Sequence, residues 1–209
     1  MRNRTSDMTS LLEIGLVFSF IMLAVWTPQG RFSSVVNLSV VLTVMAVSMR
    51  GRYSVRELGL TCPTSGAVMM LIAGALAVLL VAGVGGLTSQ LGPPQLFPWH
   101  KAWQYAIWAL VQEFILQSVF YVRLESVFGS GRAVLLAGVL FATAHLPSPL
   151  LTTLSFVGGL FFCEIFRRYR NIFPLGVIHA LLGLTIAARL PDNLLHHMRV
   201  GIGYLAYHR

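Results

Sequence analysis

The sequence predicts an all-α, polytopic integral membrane protein, a bundle of about seven transmembrane helices, and three observations carry that prediction. Charged residues make up only 11% of the chain and apolar residues 56%, whereas soluble domains carry about 25% charged residues. Mean hydropathy is +0.75. The apolar residues fall into runs close to the ~20 residues needed to cross a ~30 Å hydrocarbon core, spread over all 209 residues. No large water-soluble domain fits in what remains, so residues 1–209 are read as one membrane domain.

Taken in order, the runs cover about 10–27, 33–49, 64–87, 102–123, 133–147, 150–166 and 172–189. The first two form an N-terminal helical hairpin over 10–49. The first follows Arg2 and Arg4, as the apolar part of a signal peptide does. It lacks a small-residue cleavage site before Trp26 and Pro28, so it is read as a retained span. The fifth is short for a crossing and ends where His145-Leu146-Pro147-Ser148-Pro149 forces a break, because proline removes a backbone donor and restricts its neighbour. Such a break is tolerated at membrane depth only where it packs in protein or lines a wet cavity. The tail, 190–209, mixes Asp192, His196, His197 and Arg199 with Leu194, Leu195, Ile202 and Tyr204 and reads as interfacial. Gly83, Gly85 and Gly86, the pair Gly158 and Gly159, and the stretch Gly176 to Ala180 are read as places of close helix approach.

The net charge of +8 is a matter of topology rather than of nucleic-acid binding, because the basic residues sit in the breaks between runs. With the N-terminus in the cytoplasm, ten of them lie inside: Arg2, Arg4, Arg50, Arg52, Arg56, Arg123, Arg132, Arg167, Arg168 and Arg170. Five lie outside: Arg31, Lys101, Arg189, Arg199 and Arg209. The two cysteines, Cys62 and Cys163, show no pairing or metal-binding spacing.

A charged group at bilayer centre costs at least ~2.5–3.5 kcal/mol on insertion scales, so an acidic residue deep in a span is a functional candidate. Glu113 is that residue, ten positions and therefore about 15 Å before Arg123. Gln117 follows at i+4 on the same face, and Gln112 points to an adjacent one. His145 and His179 fall on two further spans. Each histidine alone reads equally well as a buried ring hydrogen-bonded across helices. A carboxylate and two imidazoles on three spans are what general acid-base chemistry uses. Glu13 sits near a span entrance, Glu164 is set to pair with Arg168 at i,i+4, and Glu57 and Glu125 read as solvated loop residues.

Gln112-Glu113-Phe114-Ile115-Leu116-Gln117, followed by Arg123, resembles the Glu-Glu-x-x-x-Arg motif of the CPBP (Abi) family, the CAAX prenyl endopeptidases and bacteriocin-processing proteins. Phe141-Ala142-Thr143-Ala144-His145 is similar to its Phe-x-x-x-His motif, and His179 to the histidine of His-x-x-x-Asn. Ser54 to Leu60 resembles the loop before the family's third span, so the resemblance covers about 50–190. It implies an intramembrane glutamic-type protease, without a metal or other cofactor, of a bacterial or archaeal inner membrane. Its partners are then the bilayer and a membrane-associated protein or peptide, cut near a C-terminal or membrane-adjacent segment. Catalysis is carried over to Glu113, His145 and His179, with Glu113 and His145 polarising water and His179 serving the oxyanion or donating a proton. Gln112 and Gln117 give hydrogen-bond or oxyanion support. Three positions depart from the pattern: the family's first glutamate is Gln112, its arginine is Gln117, and its asparagine is Gly183.

Gln112 in place of the family's glutamate favours the competing reading, a non-catalytic membrane scaffold or immunity-type protein of the same fold. A transporter or proton relay would use the same intramembrane Glu and His residues, but the chain has no evident internal repeat. A zinc protease is disfavoured by the lack of a His-Glu-x-x-His pair, and a serine protease by the loop context of Gly129-Ser130-Gly131.

Overall fold

The computed structural model describes residues 4–50, 52–61, 66–87, 98–190 and 192–207; Arg2, Cys62 and Arg209 lie outside them. The described residues are helical throughout, with turns between helices and no strand. In chain order they form α1 (Arg4–Trp26), α2 (Arg31–Ser48), α3 (Ala67–Leu87) and α4 (Trp99–Glu113). A π-helical stretch, Phe114–Tyr121, joins α4 to α5 (Val122–Phe128), and α6 (Ser130–Thr143), α7 (Pro149–Tyr169) and α8 (Ile172–Arg189) follow. Two short helices, α9 (Asp192–Leu195) and α10 (Gly201–Tyr207), make up the tail.

Six of these helices are long and apolar enough to cross a membrane, the continuous helix Trp99–Phe128 being one of 30 residues. Their outward faces are apolar: Leu12, Phe32, Leu42, Met69, Leu79 and Leu80 are all exposed. In water such a surface would drive association; in hydrocarbon it is the expected exterior. The chain is an integral membrane protein. The expected fifth span is instead the short apolar helix α6. At ~1.5 Å per residue its 14 residues reach about 21 Å from the Gly129 corner. Nearly the same distance measured back from Phe128 along the preceding helix arrives at Glu113. The shortness of α6 therefore halts the chain, and His145 with it, at the depth of Glu113.

Glycine contacts divide the small-residue stretches. A methyl group on Gly159 would come within 3.0 Å of Gly138 Cα, and one on Gly176 within 2.8 Å of a Leu110 methyl. Close approach is thus what these two residues provide. Nothing lies within 4 Å of that position at Gly83 or Gly86, so the expectation of helix contact fails there. The loop before α3 is pinned at Gly59, whose φ of +70° suits glycine. Its carbonyl accepts from Ile172 N–H at 3.1 Å, while Ser118 Oγ donates to Leu58 O at 2.6 Å. Glu57 in that loop is exposed, as expected, but not merely solvated. Its carboxylate accepts from the Ser54 amide at 2.8 Å and from Ser54 Oγ at 2.7 Å, and these bonds hold its pKa below the usual carboxylate range.

The main buried charge away from mid-depth is Arg123, 1% exposed beside Glu13 at 3%. Arg123 Nε donates to Glu13 Oε2 at 2.8 Å, and its other nitrogens donate to the carbonyls of Ser118, Val119 and Val47. Arg50 Nη1 reaches Glu13 Oε1 at 3.1 Å. The sequence expectation for Glu13 is an entrance residue; instead it is the buried hub tying the N-terminal hairpin to the long helix. Glu125 is corrected too: it lies on α5, half-buried and ion-paired with Arg170, rather than solvated in a loop. Glu164 pairs with Arg168 as expected, and also with Arg167.

Candidate active site

Glu113 is the fifteenth residue of the 30-residue helix and is fully buried. Its two carboxylate oxygens are engaged separately: Oε1 faces His179 Nδ1 at 2.8 Å, and Oε2 accepts from Gln117 Nε2 at 3.0 Å. The Gln117 contact follows from helix geometry, since residues four apart share a face. The His179 contact depends on α4 and α8 packing closely, which Gly176 permits by accepting Leu110 against its backbone. Cys163, buried on α7, lies within interaction range of both Glu113 and Gln117.

The π-helical stretch begins at the residue after Glu113. Its wider turn departs from the usual carbonyl ladder, and Arg123 Nη1 donates to two carbonyls within it, Ser118 O and Val119 O. Such bulges occur frequently at functional sites. No residue pattern in Phe114 to Tyr121 announced it.

His145 lies in the turn that ends α6, and its Nδ1 is 2.7 Å from Phe141 O. A carbonyl oxygen only accepts, so Nδ1 carries the proton and Nε2 of the neutral ring holds the lone pair. His179 is bracketed by aromatic rings: Phe162 stacks on it at 5.2 Å and Phe141 meets it edge-on at 5.9 Å. The same Phe141 ring packs edge-on against His145 at 4.8 Å. One phenyl group thus spaces and orients both imidazoles.

A cavity of about 1000 Å³ opens beside them, lined by Gln112, His145, His179, Tyr105 and Gly183 among a majority of apolar side chains. Its remaining walls come from α1, α2, α3, α7 and the tail at Met198 and Val200. Gln112 occupies the wall, on the face adjacent to Glu113, as helix geometry required. Glu113 stands behind the wall, reaching the cavity through His179. Of the five sequence candidates, Glu113 hydrogen-bonds directly with both Gln117 and His179, while His145 and Gln112 line the cavity without a hydrogen bond to those three. Among the described residues no three His, Cys, Asp or Glu side chains are placed to hold one metal ion.

Chemically, the arrangement offers a carboxylate-oriented imidazole, a second imidazole with an available lone pair, and an apolar chamber that strengthens electrostatic interactions by limiting water. Tyr105, which also lines the cavity, is not singled out by the sequence, because an aromatic residue in an apolar helix carries no functional signal by itself. A family model described as type II CAAX prenyl endopeptidase Rce1-like matches residues 94–185. That segment, under half of the chain, contains Gln112, Glu113, Gln117, His145, His179 and Gly183. No curated protein and no solved structure matches the chain.

Proposed function

We propose, from the Rce1-like match over residues 94–185 and the geometry inside it, that this protein is an intramembrane endopeptidase. The match implies CAAX-type intramembrane protease activity at the level of the family and a membrane-associated substrate. The finer reading is hydrolysis of a peptide bond near a membrane-adjacent or C-terminal segment by a Glu/His-activated water. The observation that carries it is the Glu113–His179 contact of 2.8 Å at mid-span, behind a cavity that also bears His145.

Water enters the chamber and is held by the imidazoles. The Glu113 carboxylate fixes His179 with Nδ1–H toward itself, which leaves Nε2 to take the water proton and stabilises the resulting imidazolium. His145, through Nε2, accepts a hydrogen bond from the same water and positions it. Gln117 holds the far carboxylate oxygen, and an amide suffices for that task. Gln112 on the wall supports the substrate by hydrogen bonding. The pairing supports Glu113 acting together with His179 more directly than with His145.

The test is to reconstitute the purified protein in liposomes, add membrane proteins of its source and a prenylated peptide ending in a CAAX sequence, and map new C-termini by mass spectrometry. New termini that disappear in His179→Ala support the reading. Gln112, an amide where the family pattern has a carboxylate, favours the non-catalytic scaffold instead, and absence of any new terminus would decide for it.

A further inference from the structure

One turn beyond His179 on α8, position 183 is a glycine, and the room a side chain would use there is taken from the opposite helix by Tyr105. A Cβ built on Gly183 would lie 2.0 Å from the Tyr105 hydroxyl oxygen and 2.6 Å from its Cζ. The register is firm, because Gly176, seven residues earlier on α8, receives Leu110, five residues later on α4. The two helices therefore run antiparallel in close contact, and the tyrosine ring is held between them.

Tyr105, His179 and Gly183 line the same cavity. The Tyr105 hydroxyl has no hydrogen-bond partner among the described residues. A partly buried phenol without an acceptor is an unsatisfied donor, and here it borders the chamber one turn, about 5.4 Å along the axis, from the imidazole. His179 is committed to Glu113 through Nδ1, and His145 through Nδ1 to a backbone carbonyl. Neither of those two N–H groups is left to serve a developing negative charge.

We infer that Tyr105 is a catalytic residue, donating the hydrogen bond that stabilises the oxyanion of the tetrahedral intermediate from the space a side chain at position 183 would otherwise fill. This rests on the endopeptidase reading. In the reaction, the water oxygen bonds to the scissile carbonyl carbon, and its proton passes to His179 Nε2. The carbonyl π pair moves onto oxygen, where the Tyr105 O–H donates without giving up its proton. Collapse re-forms the carbonyl and breaks the C–N bond, and the leaving nitrogen takes the proton from His179. The products are a carboxylic acid and an amine.

The experiment uses the full chain in liposomes and a quenched-fluorescent peptide spanning the cleavage site mapped with the wild type. Tyr105→Phe keeps the ring, so its melting temperature should match the wild type, while kcat falls about 10²–10³-fold, the usual loss on removing one oxyanion donor, with KM unchanged. Tyr105→Ala/Gly183→Asn, which puts an amide donor into the vacated space, should recover activity relative to Tyr105→Ala. Tyr105→Ala/Gly183→Leu, of similar shape without a donor, should not. Wild-type kcat in Tyr105→Phe, a loss confined to KM, or equal recovery with Asn and Leu would overturn the inference and leave the endopeptidase standing. Failure of the wild type to cut anything would remove both.

Discussion

Glu113 and His179 are separated by 66 residues in the chain, yet Oε1 and Nδ1 lie 2.8 Å apart inside the bundle. The carboxylate is fully buried, whereas the imidazole lines the cavity. This asymmetry assigns the two groups different tasks. On the proposed mechanism the histidine meets the substrate, and the carboxylate sets its tautomer and supports its charge.

Glu113→Gln retains shape and hydrogen bonding but loses that charge, so turnover should fall by about 10²–10⁴. His145→Ala should do comparable damage, Gln112→Ala less, and Gln112→Glu should raise turnover by adding a carboxylate to the wall. The measurement is cleavage of the mapped substrate at equal membrane expression. Wild-type turnover in Glu113→Gln would refute the mechanism.

Arg123→Met leaves Glu13 buried and removes its closest partner. Breaking a buried ion pair from one side costs about 3–5 kcal/mol, so the variant should melt at a distinctly lower temperature in detergent. Glu13→Leu/Arg123→Met should recover part of that loss, because no uncompensated charge remains. Equal melting of Arg123→Met and wild type would show that Arg123 is not the partner that keeps Glu13 stable.

The bonds from Ser54 lower the pKa of Glu57 relative to the usual value of 4.5. A group with a depressed folded-state pKa stabilises its contact above the unfolded pKa and loses that contribution as pH falls through the folded one. The Ser54–Glu57 turn should therefore stay protected at pH 5 and open at a pH below 4.5. Amide exchange at Ser54 reads this directly, and an opening midpoint above 4.5 would contradict it.

Orientation follows from the basic residues. Arg50, Arg52 and Arg123 gather around Glu13, which puts the break after α2 and the C-terminal part of the long helix at one end of the bundle. We propose that this end is cytoplasmic. A cysteine replacing the exposed Arg56 should resist an impermeant thiol reagent in intact cells and react after permeabilisation. Rapid labelling from outside would invert the topology.

Much of the candidate site was legible because hydrocarbon makes polar residues conspicuous. Glu113, His145 and His179 stood out against apolar runs, and Gln117 followed from its i,i+4 spacing. Long-range pairing was another matter. Nothing local to Glu13 points to Arg123, 110 residues away, and nothing near Glu125 points to Arg170. The π-helical stretch is a property of how Phe114 to Tyr121 pack, not of their order. Glu113 and Arg123 do share one continuous helix, but α6 had to be seen to be short before His145 could be placed level with Glu113. Tyr105 was invisible for a further reason: its importance lies in what is missing opposite it, at Gly183.

The cavity's construction separates two properties that are often entangled. Every group given a role in the proposed reaction comes from the stretch between Tyr105 and Gly183, while Phe18, Ile21, Val41, Met45 and Val200 belong to walls contributed by the hairpin and the tail. Part of the chamber's shape is thus encoded outside the stretch that carries the proposed chemistry, although Trp108, Phe141 and Phe161 also line it from within that stretch. Recarving the hairpin's inner face, with Glu13 kept in place for Arg123, is a route to altering what this chamber admits while leaving Glu113, His145 and His179 untouched.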